Sequence, residues 1–125
     1  DIVSGGIDTT TVALEWTMSE ILRNPHVASK LREEIESAVG KHRMVTESDV
    51  ASMEYLHCVV KESLRLHPSS PFIFGHKSSK TCIVGAQEFV IPPKTILMIN
   101  VWAIGRDPAI WEDPLAFKPE RFIGK

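Results

Sequence analysis

The chain has 125 residues, 43% of them hydrophobic and 24% charged, which suits one ordinary globular unit with a modest core. Its formal net charge is −2 and no basic cluster is denser than Lys77 and Lys80, so nothing points to nucleic acid or an anionic membrane surface. Its two cysteines, Cys58 and Cys82, fit neither a disulfide framework nor a Cys-x-x-Cys metal site.

No apolar run is long enough to span a membrane, and no signal peptide is visible. The chain opens on "DIVSGG" without an initiator Met and ends on "PERFIGK" without a closing element. That reads as an internal piece of a longer protein, with room for a targeting segment elsewhere.

The first helix is predicted to run to about Arg23. Val12, Leu14, Trp16, Met18, Ile21 and Leu22 cover much of its circumference, so it is expected to be largely buried. "GGIDTT" at residues 5–10 sits badly in it. Each glycine costs about 1 kcal/mol relative to alanine, and Asp8, Thr9 and Thr10 are mediocre helix formers. From composition alone this is a frayed start. A functional reading uses the same weakness: a glycine pair lets another group approach the backbone. Thr9 can reach the Gly5 carbonyl, and Asp8 with Thr9 supplies the carboxylate and hydroxyl of a proton relay.

Asn24 and Pro25 end this helix and start the next, as N-cap and first helical residue. Val27, Leu31, Ile35 and Val39 recur every four residues opposite a charged face, predicting a surface helix over 25–39 that stops at Gly40. Residues 41–44 are loop, and "TESDVASM" offers Ser and Asp caps for a helical turn. A third helix is expected over 53–67, with Leu56, Val59, Val60 and Leu64 as its apolar stripe and His67 before Pro68 as its end. Glu62 and Arg65 share a face at i and i+3. Arg65 falls about half a turn from the stripe, which makes the pair an exposed one worth little. "EILR", Glu20 to Arg23, repeats the pattern.

Beyond Pro68 the chain turns Pro-, Ser- and Gly-rich, with an apolar run at Phe72 to Phe74. Two short strands around Gly85 and a third from Thr95 to Asn100 are predicted, held to edges or strand ends by Pro92 and Pro93. Residues 101–125 carry Pro108, Pro114 and Pro119 and support a short helix followed by irregular chain. "PERF", 119–122, is by itself a loop with a cation. His57, Cys58, His67, His76 and Cys82 show no recurring ligand spacing, so no metal site is expected among them. Phosphate-loop, nucleophile-elbow and zinc-protease motifs are absent. The fold class is mainly α with a small β-sheet over 72–100.

Taken in order, "GGIDTT", "KESLRLHP", "VWAIGRDPAIW" and "FKPERF" resemble the cytochrome P450 family of haem-thiolate monooxygenases, across essentially the whole chain and most nearly its plant microsomal branch. The resemblance implies that residues 1–125 are part of one such domain, with 1–23 the distal half-helix over the haem, so that "GGIDTT" lies mid-helix. Gly5 and Gly6 then fit the small-residue positions beside dioxygen. Asp8 and Thr9 fit the acid and alcohol that deliver protons. Glu62 and Arg65 fit a buried Glu-x-x-Arg pair with Arg121 as the third member of its charge network, which reverses the exposed-pair reading. His76 fits a haem-propionate contact. Ser69, Ser70, Phe72, Ile73 and Phe74 fit a substrate-contacting segment.

The cofactor implied is haem, with NADPH electrons arriving through a flavoprotein reductase. The partners implied are dioxygen and a small apolar organic substrate, at the cytosolic face of the endoplasmic reticulum membrane and without nucleic acid. The family's ligating cysteine stands in a Phe-x-x-Gly-x-Arg-x-Cys-x-Gly loop downstream of "PERF", beyond Lys125, so neither Cys58 nor Cys82 is the thiolate. Two departures are visible. Gly75 replaces a commoner Pro or Arg, and "GAQEFVIP" is a residue or two longer than usual. The alternatives are a truncated, inactive remnant of such an enzyme and, from the 25–39 helix alone, a helical partner-binding module.

Overall fold

A computed structural model describes residues 2–86 and 89–125, apart from the side chains of Ser4 and Phe74. Helix α1, Ile2–Arg23, runs without a break through the glycine pair. Its threonines turn back on the backbone. Thr9 Oγ1 donates to the Gly5 carbonyl at 2.7 Å, Thr10 to Gly6 at 2.8 Å and Thr11 to Ile7 at 2.9 Å. The "GGIDTT" segment is therefore helix interior, not a frayed start.

The expected burial of α1 does not hold within this chain. Ile2, Val3, Ile7, Leu14 and Met18 are exposed, and among the described residues of this helix only Glu20 is buried. The helix is packed by α2, Pro25–Val39, and α4, Glu54–Leu66. Two neighbours cannot cover a helix that is apolar nearly all round.

Pro25 opens α2, which buries Val27 and Leu31 and ends where Gly40 takes a φ of 78°. Asn24 does not cap it through its side chain, contrary to expectation. Its amide donates instead to the Glu20 carbonyl at 2.8 Å and to Glu20 Oε2 at 3.1 Å. Thr46 is the N-cap residue of the short α3, Glu47–Val50, and Asp49, one of the expected caps, completes a capping box with it. Asp49 accepts from Arg43 at 2.7 and 2.8 Å and from the Thr46 backbone at 2.8 Å. Those contacts, the arginine first, hold its carboxyl well below the usual carboxylate range.

Helix α4 borrows its N-terminal acceptor from α2. Glu34 accepts from Tyr55 N at 2.6 Å and Leu56 N at 2.9 Å, which places a carboxylate at the positive end of the helix. Val27, Val59, Leu66 and Phe117 form the core, with Ile21 and Tyr55 against it. The buried face of α4 is Cys58, Val59, Glu62, Ser63, Arg65 and Leu66. Val60 and Leu64, placed in the stripe by periodicity, are 41% and 44% exposed, so the helix is rolled toward its polar side.

Strand β1, Phe72–Lys77, pairs antiparallel with β4, Ile96–Asn100, and β2, Cys82–Val84, pairs antiparallel with β3, Phe89–Ile91. The β-structure is thus two ribbons, not one small sheet. The β1–β4 register slips between Ile73 and His76. Gly75 lies at the slip, where a Cβ would stand 2.7 Å from Ile96 Cγ2. The tip of the β2–β3 hairpin, in the segment read as longer than usual, lies outside the described residues. Helix α5, Val101–Ile104, follows, capped by the Asn100 side chain accepting from Ala103 N at 3.0 Å. A 3₁₀ turn, Pro119–Phe122, closes the chain against α4.

Candidate functional site

The rolled face of α4 carries a charge network. Arg65 meets Glu62 through both ends of its fork, Nε to Oε2 at 2.7 Å and Nη2 to Oε1 at 2.8 Å. Its other three N–H groups go to the carbonyls of Gly105, Pro114 (2.8 Å) and Ala116 (3.1 Å). All five guanidinium donors are therefore occupied. Glu62 Oε1 also accepts from Arg121 Nε at 3.0 Å and from Lys118 N at 2.8 Å. Arg121 donates onward to the Glu112 carbonyl at 2.9 Å. The Glu62 side chain is fully buried and that of Arg65 nearly so. A buried pair holds only when its remaining donors are met, and here a second arginine and the backbone of 105–116 meet them. The exposed-pair reading is overturned. "EILR" is a lookalike, since Glu20 pairs with His67 at 2.8 Å.

Two residues of this region escaped the sequence reading. The Trp111 ring has the guanidinium carbons of Arg65 at 5.1 Å and Arg121 at 5.9 Å from its centroid. Its Nε1 donates to the Ile104 carbonyl at 3.0 Å. Gly105 sits so close to α4 that a Cβ built on it would overlap the Arg65 carbonyl. Both stand in "VWAIGRDPAIW", but nothing in local spacing marks either as a partner of α4.

The second constellation lies on α1. A Cβ added at Gly5 or Gly6 meets nothing within 4 Å, so the helix is bare there, one turn before Thr9. Ser69, just past α4, donates its hydroxyl to the Thr9 carbonyl at 3.0 Å and so joins the two regions. Ser70 Oγ turns back to the Phe72 carbonyl at 2.7 Å. Phe72 and Ile73 are 40% and 43% exposed, and His76 is exposed on β1 opposite Leu97. The Phe74 side chain lies outside the described residues.

The family model described as cytochrome P450 matches residues 1–125. The chain belongs to the cytochrome P450 family. It is 50% identical to cytochrome P450 93A3 of Glycine max over 98% of its own length and 24% of that relative. It is 52% identical to cytochrome P450 750A1 of Pinus taeda, covering 98% of this chain and 23% of the relative. The same identity, over 98% and 24%, holds for the 3,9-dihydroxypterocarpan 6A-monooxygenase of Glycine max. A zebra fish cytochrome P450 structure with progesterone superposes at a TM-score of 0.87 and 31% identity, over 97% of this chain and 28% of that one. The chain thus spans about a quarter of the length of the curated relatives it matches.

A Cβ at Gly5 or Gly6 would meet open space, so the residues of this cytochrome P450 segment leave room for a flat group such as haem to approach the helix backbone. Burial pushes the Cys58 thiol up. Among the described residues no group of three or more His, Cys, Asp or Glu is placed to hold a metal ion.

Proposed function

We propose that the protein containing this chain is a haem-dependent monooxygenase that inserts one atom of dioxygen into a small apolar organic substrate. Asp8 and Thr9 would handle protons, Gly5 and Gly6 lie beside the cofactor, and His76 contacts a propionate. The observation that carries the proposal is the bare Gly5–Gly6 face one turn before a threonine hydroxyl, on a helix docked against a cytochrome P450 charge network. One relative carries a monooxygenase's name, which supports the reaction class.

When bound, haem with a cysteine thiolate ligand supplies the iron chemistry that favours O–O cleavage. The chain's own part is to bind, orient and move protons. At rest the Thr9 hydroxyl donates to the Gly5 carbonyl. To pass its proton outward it rotates about χ1 and releases that carbonyl, which the open glycine face permits. Consecutive helix residues point about 100° apart, so Asp8 resupplies Thr9 through water, not by direct contact. Phe72 and Ile73 present apolar surface to substrate, and Ser69, Ser70 and Phe74 belong to the same substrate-contacting segment. Electrons come from NADPH through a flavoprotein reductase at the cytosolic face of the endoplasmic reticulum. Among the described residues no helix is long and apolar enough to cross a membrane.

The full-length coding sequence, expressed with a reductase, tests this. The expected result is a thiolate-type carbon monoxide difference spectrum and incorporation of isotopically labelled dioxygen into product. A full-length product that binds no haem overturns the proposal and favours the inactive remnant.

A further inference from the structure

Helix α1 is held on α4 by directed polar contacts. The Thr17 and Ser63 hydroxyls are hydrogen-bonded at 2.8 Å, with Thr17 Oγ1 also on the Ala13 carbonyl at 2.7 Å, and Glu20 Oε1 lies 2.8 Å from His67 Nε2. Trp16 lies flat on the His67 ring, with centroids 4.0 Å apart and planes 2° from parallel. The second carboxylate oxygen of Glu20 accepts from Asn24 at 3.1 Å, which fixes the orientation of the first. The Glu20 and His67 side chains are 10% and 15% exposed, so neither is a loose surface group.

Apolar contacts between helices are non-directional and tolerate rolling and sliding, whereas hydrogen bonds specify one register. We infer that Glu20 and His67 are positioning residues, a latch that sets the roll and axial register of α1 on α4. Three geometric points support it. His67 terminates α4, its N–H donating to the Ser63 carbonyl at 2.7 Å, so the imidazole is anchored to the helix that carries Glu62 and Arg65. Trp16 and Glu20 sit four residues apart on one face of α1 and grip the same ring, one by its plane and one by its edge. Thr9 lies three turns before Glu20 on the same unbroken helix, so a roll at the latch becomes a roll at Thr9. What Thr9 does there rests on the monooxygenase reading; the latch itself does not.

The test uses the full-length protein as wild type, His67→Phe, Glu20→Ala and the double variant. His67→Phe keeps a ring on Trp16 and removes the bond to Glu20. His67→Phe is expected to speed amide exchange across residues 12–24 about fivefold, the weight of one hydrogen bond, Glu20→Ala, which also loses the Asn24 bond, at least as much, and the double change no more than Glu20→Ala. In the haem-loaded protein His67→Phe lowers product formed per electron pair about fivefold with haem content and carbon monoxide spectrum unchanged, and adds nothing to Thr9→Ala. Unchanged exchange, loss of haem in His67→Phe, or uncoupling that multiplies with Thr9→Ala overturns the latch. Wild-type protein without monooxygenase activity overturns the functional reading instead, and the exchange data alone then decide the latch.

Discussion

Arg65 and Gly105 hold each other's backbone. The Arg65 guanidinium donates to the Gly105 carbonyl, and the Gly105 Cα is pressed against the Arg65 carbonyl, with room for no side chain between them. Gly105→Ala is expected to force the two segments apart and cost about 1–3 kcal/mol of stability. Denaturant unfolding measures it. Wild-type stability would mean that the segment after α5 shifts freely, and that the contact constrains nothing.

Arg65→Ala leaves the Glu62 carboxylate buried with a weakened set of partners. Breaking such a pair costs about 3–5 kcal/mol, and stable haem incorporation is expected to be lost with it. Arg65→Lys should rescue little, because one ammonium cannot reach the carboxylate twice and three carbonyls besides. Pigment content and unfolding midpoint report both. A normal haem spectrum in Arg65→Ala would return the pair to a surface role.

Thr9→Ala removes an exposed hydroxyl that, among the described residues, bonds its own helix backbone. Stability should change by no more than about 0.5 kcal/mol. Haem is expected to stay bound while electron consumption separates from product formation. Measured coupling equal to wild type would remove Thr9 from the proton relay.

Tyr55 is the sole tyrosine of the chain. Burial, then its hydrogen bond to Glu120 at 3.1 Å, pushes its phenol above the ordinary value of 10.0. An acid whose folded pKa is raised keeps its contribution to stability below the unfolded pKa and loses it above. Stability should therefore decline from about pH 10 upward as the unfolded state ionises first, and Tyr55→Phe should flatten that decline. The difference in phenolate absorbance between wild type and Tyr55→Phe follows the group directly; a transition at the ordinary value would contradict the burial argument.

The mainly helical class and the small β-content were legible in the sequence because periodicity, Asn24–Pro25, Gly40 and Pro68 punctuate the chain strongly. Which face of α4 is buried was not. An apolar-stripe reading ranks side chains by hydrophobicity and turns Val60 and Leu64 inward, whereas burial here follows the bonds made by Glu62 and Arg65 with residues 40 or more positions away. Only the order of four motifs revealed that pair. The burial of α1 was overestimated for a related reason: an all-round apolar helix announces that it is covered, but not by what. Asn24 and His67 were read as punctuation at helix ends, and both have side chains that bond Glu20. The Asn24 bond is a local i, i+4 one, whereas no local pattern encodes the pairing of His67 with Glu20, 47 positions away.

The stretch from Gly105 to Ala116 has few backbone hydrogen bonds of its own, among them Ile110 and Trp111 to the Asp107 carbonyl and Ala116 to that of Asp113. Carbonyls of Gly105, Glu112, Asp113, Pro114 and Ala116 are also taken by two arginine side chains, one of them from α4. Its shape is thus templated from elsewhere in the chain. Closing a loop of some forty residues is the entropic cost of those bonds, so the order of this stretch depends on α4 presenting Arg65.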